Sequence, residues 1–175
     1  MSKSFSWIDI LFPGVVVHEA AHALACYACG VKVHAISVHR ASGMVVHDKT
    51  NVRSSLLIGL FPLIVGGILS LLILHAGKQI MENEWALGVG LIWIGVSIGF
   101  HSIPSVQDVQ NIVTTTQHRY EELWRSSRNV GVKLTKSAFY ALAWVLAWGL
   151  VLVAWGLNAT VLFRIGMSLG LWWVA

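Results

Sequence analysis

An all-α polytopic membrane protein, with about four transmembrane helices and a membrane-associated β-hairpin after the first, is the fold class the sequence predicts. Three observations carry it. Hydrophobic residues make up 56% of the 175 residues and charged residues only 11%, where a soluble domain carries about 25% charge. Four apolar runs approach the ~20 residues that a helix needs to cross the hydrocarbon core. Between the first two runs lies a β-branched, partly alternating stretch that breaks the helical pattern. The chain reads as a single membrane-embedded domain, with a core at about 7–112, a cytoplasmic loop at 105–136 and a C-terminal membrane region at 137–175.

The first span is expected at 7–29. Its charged and imidazole residues argue against a cleaved leader, whose central region lacks them, so it is read as a retained helix. "VKVHAISVHRASGMVVHDKT" follows, with a turn signal at "RASG", and predicts strands at 32–38 and 44–47. Further spans are expected at 54–76, 85–103 and 137–157. "HRYEELWRSSR" reads as an amphipathic surface helix within the cytoplasmic loop. Residues 161–175, interrupted by Arg164, read as an interfacial helix rather than a fifth span.

Lys and Arg total 12 against 8 Asp and Glu, a net charge of +4. In such a chain this excess marks cytoplasmic loops rather than nucleic-acid binding. Lys32, Arg40, Lys49 and Arg53 follow the first span; Arg119, Arg125, Arg128, Lys133 and Lys136 follow the third. Both groups fall on one side, which predicts a multi-pass cell-membrane protein with that side in the cytoplasm and the N-terminus outside. The two cysteines, Cys26 and Cys29, form a CxxC without a second pair, and read as small packing residues.

The chemistry concentrates in "VVVHEAAHALA", residues 15–25. His18 and His22 are four apart, so a helix places both on one face, where they can hold one metal ion. Zn2+ takes neutral imidazole and in catalytic sites uses three protein ligands. Glu19 beside them suits a general base that takes a proton from water. This is the HExxH pattern, and polar residues inside an apolar span need a reason to be there. "GFHSIPSVQDVQN" offers the third ligand: Asp108, or His101 as the alternative, around a helix-breaking Pro104. Were Asp108 the ligand, His101 would serve catalysis as a hydrogen-bond donor behind a ligand or as an oxyanion stabiliser. Gly95 and Gly99 form a GxxxG that would bring the third span against the first.

"FPGVVVHEAAHALA", the hairpin, "GLFPLIVGG" and the Pro/Asp motif together resemble the site-2 protease family of intramembrane zinc metalloproteases, over roughly residues 10–112. The resemblance implies Zn2+ held by His18, His22 and Asp108, with Glu19 as base. It also implies a hairpin that pairs with an unfolded strand of a membrane-anchored protein or peptide substrate. The family typically has Asn before the Pro and Asp-Gly at the ligand; here His101 replaces the Asn and Val109 follows Asp108, which makes this a divergent, minimal member.

The expected function is therefore peptide-bond hydrolysis in a membrane-anchored substrate, within the lipid bilayer and without nucleic acid. The alternatives are a metal transporter or sensor using the same histidines, or another membrane metallopeptidase with Glu121 or Glu122 as third ligand. His34, His39, His47, His75 and His118 read as polar loop or interfacial residues.

Overall fold

The computed structural model describes residues 7–40, 42–126, 130–159, 168–170 and 172–173. After a 3-10 turn at Trp7–Leu11 come α1 (Phe12–Ala28), β1 (Val33–Val38), β2 (Gly43–His47), α2 (Val52–Met81), α3 (Trp85–Ser102), α4 (Val106–Ser126) and α5 (Val130–Ala159). Four stretches are long and apolar enough to cross a membrane: Asp9–Ala28, Val52–Met81, Trp85–Ser126 and Val130–Val153. The expectations for Arg128 and Arg164 lie outside the described residues, as does most of 161–175.

α1 ends where a glycine lets the chain reverse. Gly30 sits at φ +66, its N–H donates to Tyr27 O, and the Val31 N–H donates to Cys26 O at 2.8 Å. This is the Schellman pattern, in which a glycine just past the helix takes the left-handed conformation. Val31 then packs against buried Cys26, together with Val33 and Val45 of the hairpin and Ile58 of α2. The hairpin thereby folds back beside α1. Its strands are antiparallel, with Ile36 opposite Val45 and Val38 opposite Gly43, and a bulge between Val33 and Ala35. Both cysteines are free, and Cys26 is buried, which matches a packing role.

α2 is the hub, touching α1, α3 and α4. Asn51 caps it by accepting from Ser54 N at 2.9 Å, so it starts just before the expected span. No breaker ends it before Met81, and its 30 residues extend about 45 Å, well beyond the ~30 Å hydrocarbon thickness. The third span does lie against the first, but Gly95 of the expected glycine pair does not make the contact. Gly95 faces α2, where an added Cβ would come within 2.7 Å of the Leu74 side chain. The close approach to α1 is made by Gly14, whose Cβ would overlap the Ser97 carbonyl. Ser97 Oγ accepts from Gly14 N at 2.8 Å, an N–H that a helix start leaves open, and donates to Leu11 O at 2.6 Å.

The expected loop at 105–136 is instead mostly helix. Nothing between Val106 and Ser126 is Pro or Gly, so α4 runs unbroken from the Pro104 region through the amphipathic stretch. Val109, Ile112, Val113 and Thr116 form its buried stripe, with the i, i+3, i+4, i+7 spacing of a helix face. That stripe packs on Ala147 and Val151 of α5 and on Leu56 and Leu60 of α2. α5 begins at Val130, so Lys133 and Lys136 lie on its first turns rather than in a loop. Outward faces are apolar, as at Leu63, Ile64, Ile68, Leu72 and Leu152.

Candidate metal centre

α1 presents His18 and His22 one turn apart, and the first turn of α4 brings Asp108 to them. The Nε2 atoms of the two histidines are 3.0 Å apart. Asp108 Oδ2 lies 3.5 Å from His18 Nε2, and Oδ1 lies 3.2 Å from His22 Nε2. Zn–N bonds of about 2.0–2.1 Å in a tetrahedron put neighbouring donors about 3.3 Å apart. Each carboxylate oxygen thus faces one histidine nitrogen, and one ligand atom from each of the three residues lies within 4.8 Å of the others, a grouping that could hold one metal ion.

Hydrogen bonding on the far side of each ring strengthens the fit. His18 Nδ1 donates to the His101 carbonyl at 2.5 Å, and His22 Nδ1 donates to the Ile58 carbonyl at 2.8 Å. A carbonyl only accepts, so each neutral ring carries its proton on Nδ1 and turns the Nε2 lone pair inward. Two lone pairs and a carboxylate then face one another across about 3 Å. That convergence of acceptors could hold a cation, and the outer hydrogen bonds are the kind that orient metal-ligating histidines.

Asp108 is held just as firmly. Its Oδ2 accepts from Ser105 N and from Ser105 Oγ, both at 2.7 Å, while Asp108 N donates back to Ser105 Oγ at 3.2 Å. This reciprocal pair at the start of α4 is a capping box. Asp108 is thus a helix-terminus residue and a candidate ligand at once. Ile103 is extended, with ψ 126, as expected of a residue before proline; this break between α3 and α4 turns Asp108 toward α1.

Glu19 is buried, with 5% of its surface exposed, and lines the same cavity as the three donors. Gly43, the first residue of β2, lies over it: a Cβ there would overlap Glu19 Cγ and come within 2.5 Å of its Oε1. Only glycine allows this approach. The cavity is about 950 Å3, and every residue of β2 lines it. β1 pairs with one edge of β2, and β2 has no other strand partner among the described residues. Lys49 and Arg119 stand at the same cavity.

The structure groups Asp108, not His101, with the two histidines. His101 still matters locally, but through its backbone carbonyl; its ring donates from Nδ1 to Ser97 O at 3.1 Å and borders the cavity. The glutamate alternatives are not among the grouped donors: Glu122 borders the cavity but pairs with Arg119 at 2.7 Å and His118 at 3.3 Å, and Glu121 accepts from Gln117. On the hairpin, His34 donates to Asp48 at 2.7 Å, and His47 donates to the Asp48 carbonyl. His75 contacts Gln79. Sequence reasoning missed Ser105, Ser97 and Gly43. Only the first had a signal, the S-x-x-D spacing of "SVQD".

Compared with known proteins, the chain matches no family model, no curated protein and no solved structure.

Proposed function

We propose that this chain is an intramembrane zinc metalloendopeptidase of the site-2 protease type. The observation that carries the proposal is the convergence of His18 Nε2, His22 Nε2 and the Asp108 carboxylate beside buried Glu19, in a cavity walled by β2. His18, His22 and Asp108 would hold zinc, which when bound supplies a Lewis acid for a carbonyl oxygen and makes water more acidic.

The protein's own groups do the rest. Glu19 takes a proton from water as the water oxygen attacks the peptide carbonyl carbon. When the C–N bond breaks, Glu19 passes that proton to the leaving amine. A transmembrane helical substrate hides its amides in its own hydrogen bonds, so it must unwind first. The open edge of β2 can pair with the unwound segment and keep its main chain satisfied in dry surroundings. The basic residues at the cavity, Lys49 and Arg119, support a multi-pass cell-membrane protein with this end in the cytoplasm.

A metal transporter or sensor would use the same three donors but has no need of a buried carboxylate at Glu19. The test uses the purified full chain with single-span model proteins in proteoliposomes. Glu19→Gln is expected to keep stoichiometric zinc and abolish cleavage. Near-normal cleavage by that variant would refute the base, and zinc uptake into the liposomes without any cleavage would favour transport.

A further inference from the structure

The chain has three prolines, and one of them, Pro62, sits inside α2. A proline has no N–H, so the helical bond from position 62 back to the Ile58 carbonyl cannot form. In an apolar helix a carbonyl stripped of its partner is costly, unless a neighbouring helix supplies a donor. That carbonyl is the one to which His22 Nδ1 donates at 2.8 Å, in a buried contact between α1 and α2. Both needs are met by one bond: Ile58 O gains a donor, and the His22 ring gains a fixed tautomer and direction.

We propose that Pro62 is a positioning residue for the metal centre: by withholding an amide from Ile58 O, it reserves that oxygen for His22 and so aims His22 Nε2 at His18 and Asp108. The inference rests on the zinc reading given above. It goes beyond that reading by assigning a function to a residue that contacts none of the donor atoms.

The second histidine is anchored by the same logic. His18 Nδ1 donates to the His101 carbonyl. A helix running on from α3 would cover that carbonyl with the amide of residue 105, or of residue 104 in a tighter turn. Pro104 has no amide to give, and the Ser105 N–H is turned instead to Asp108 Oδ2 at 2.7 Å. Each histidine is thus held by a main-chain oxygen that a nearby proline helps to keep out of helical bonding. A buried proline with a purely architectural role would have no reason to stand four residues after the one carbonyl that His22 uses.

Pro62→Ala restores an N–H at position 62, which then competes with His22 for Ile58 O. The experiment measures zinc affinity of the purified full chain in detergent by competition with a chromophoric chelator, alongside the thermal midpoint. Pro62→Ala is expected to weaken zinc binding about 10- to 100-fold, the range for losing an outer partner of a ligand. Its thermal midpoint without metal should be unchanged or raised, because alanine suits a helix interior better than proline. Lactic acid placed at position 62 gives a backbone ester with no N–H, and is expected to restore wild-type affinity.

Wild-type affinity in Pro62→Ala overturns the proposal. So does weak binding by the ester, which would assign the effect to the proline ring rather than the missing amide. If Pro62→Ala does not fold, the ester alone decides by the same criterion. If wild-type protein binds zinc no more tightly than His22→Ala, the metal reading itself fails and takes this inference with it; weak binding confined to the position-62 variants keeps the two failures apart.

Discussion

Two clusters of histidine and aspartate lie within this small protein, and they are built in opposite ways. On the hairpin, His34 turns a ring N–H toward Asp48 and the contact closes to 2.7 Å, with both side chains about half exposed. At the centre of the bundle, the ring N–H groups of His18 and His22 are spent on main-chain carbonyls. With the rings neutral, their Nε2 lone pairs face Asp108, at 3.5 and 3.2 Å. The shorter contact is an ordinary hydrogen bond between donor and acceptor. With both rings neutral the longer ones join acceptors to acceptors, the arrangement that a cation shared on the proposed zinc reading would favour. Residue type alone does not separate the clusters; the direction of the protons does.

The largest effect expected from breaking this contrast is at Asp108. Asp108→Ala removes one of three donors and the charge that offsets a divalent ion in a low-dielectric setting. Loss of an outer partner already costs about 10- to 100-fold in metal affinity, so loss of the ligand should exceed about 100-fold and remove cleavage with it. Zinc stoichiometry on the purified variant, with size-exclusion behaviour as the folding check, decides it. Full zinc in Asp108→Ala alongside a metal-free His101→Ala would move the third ligand to His101. The expected outcome is the reverse, since His101→Ala keeps the carbonyl that anchors His18.

Much of the buried cluster was legible before any coordinates. His18, Glu19 and His22 are fixed by one helical turn, and periodicity translates directly into a shared face. Asp108 could be named because a carboxylate near a proline break is rare in so apolar a chain. What could not be read were the groups on the other side of the rings. Ile58 and His101 act there through backbone carbonyls, which every residue possesses, so their identities carry no trace of the role. The amphipathic stretch from His118 is helical as its pattern implies, but the extent of α4 is less legible, for a different reason. Its polar sequence resembled a cytoplasmic loop, yet the Val109, Ile112, Val113 stripe was sufficient to hold it on α2 and α5. The hairpin was placed to within a residue, but its seating over Glu19 depends on the Gly30 reversal and on Gly43, and both are tertiary facts.

An intermediate effect is expected where the buried aspartate is itself held. Ser105→Ala removes the hydroxyl that donates to Asp108 Oδ2 and accepts from Asp108 N, while the Ser105 backbone N–H remains. Losing such a cap costs about 1 kcal/mol of helix stability, and the loosened carboxylate should weaken zinc about tenfold. Ser105→Thr retains the hydroxyl and should restore both. Chelator competition on the three proteins sharpens the contrast, because no equivalent support is expected to matter for the hairpin cluster. Equal affinity in all three would mean that Asp108 needs no second hold.

The smallest effect belongs to Asp48. The hydrogen bond from His34 holds its carboxyl below the usual carboxylate range, with Lys32 and His47 adding to the pull. A carboxyl that is easier to ionise in the folded protein stabilises it above its unfolded pKa, about 3.9 for aspartate. That contribution is lost as pH falls through the lower folded value. The sign therefore predicts that wild type has any advantage over Asp48→Asn near neutrality, and that the two converge in acid. The size should be slight, because the pair lies at the surface and exposed ion pairs contribute little. The backbone contact from His47 to the Asp48 carbonyl survives the substitution. Thermal midpoints of both proteins between pH 3 and 7 provide the measurement, with zinc content followed in parallel. Asp48→Asn should match the zinc content of wild type at every pH, since acid protonates the histidine ligands of both proteins alike. Zinc lost from this variant at a pH where wild type retains it, or a stability gap that widens toward acid, would mean that the exposed cluster is coupled to the buried one and that proton direction does not divide their roles.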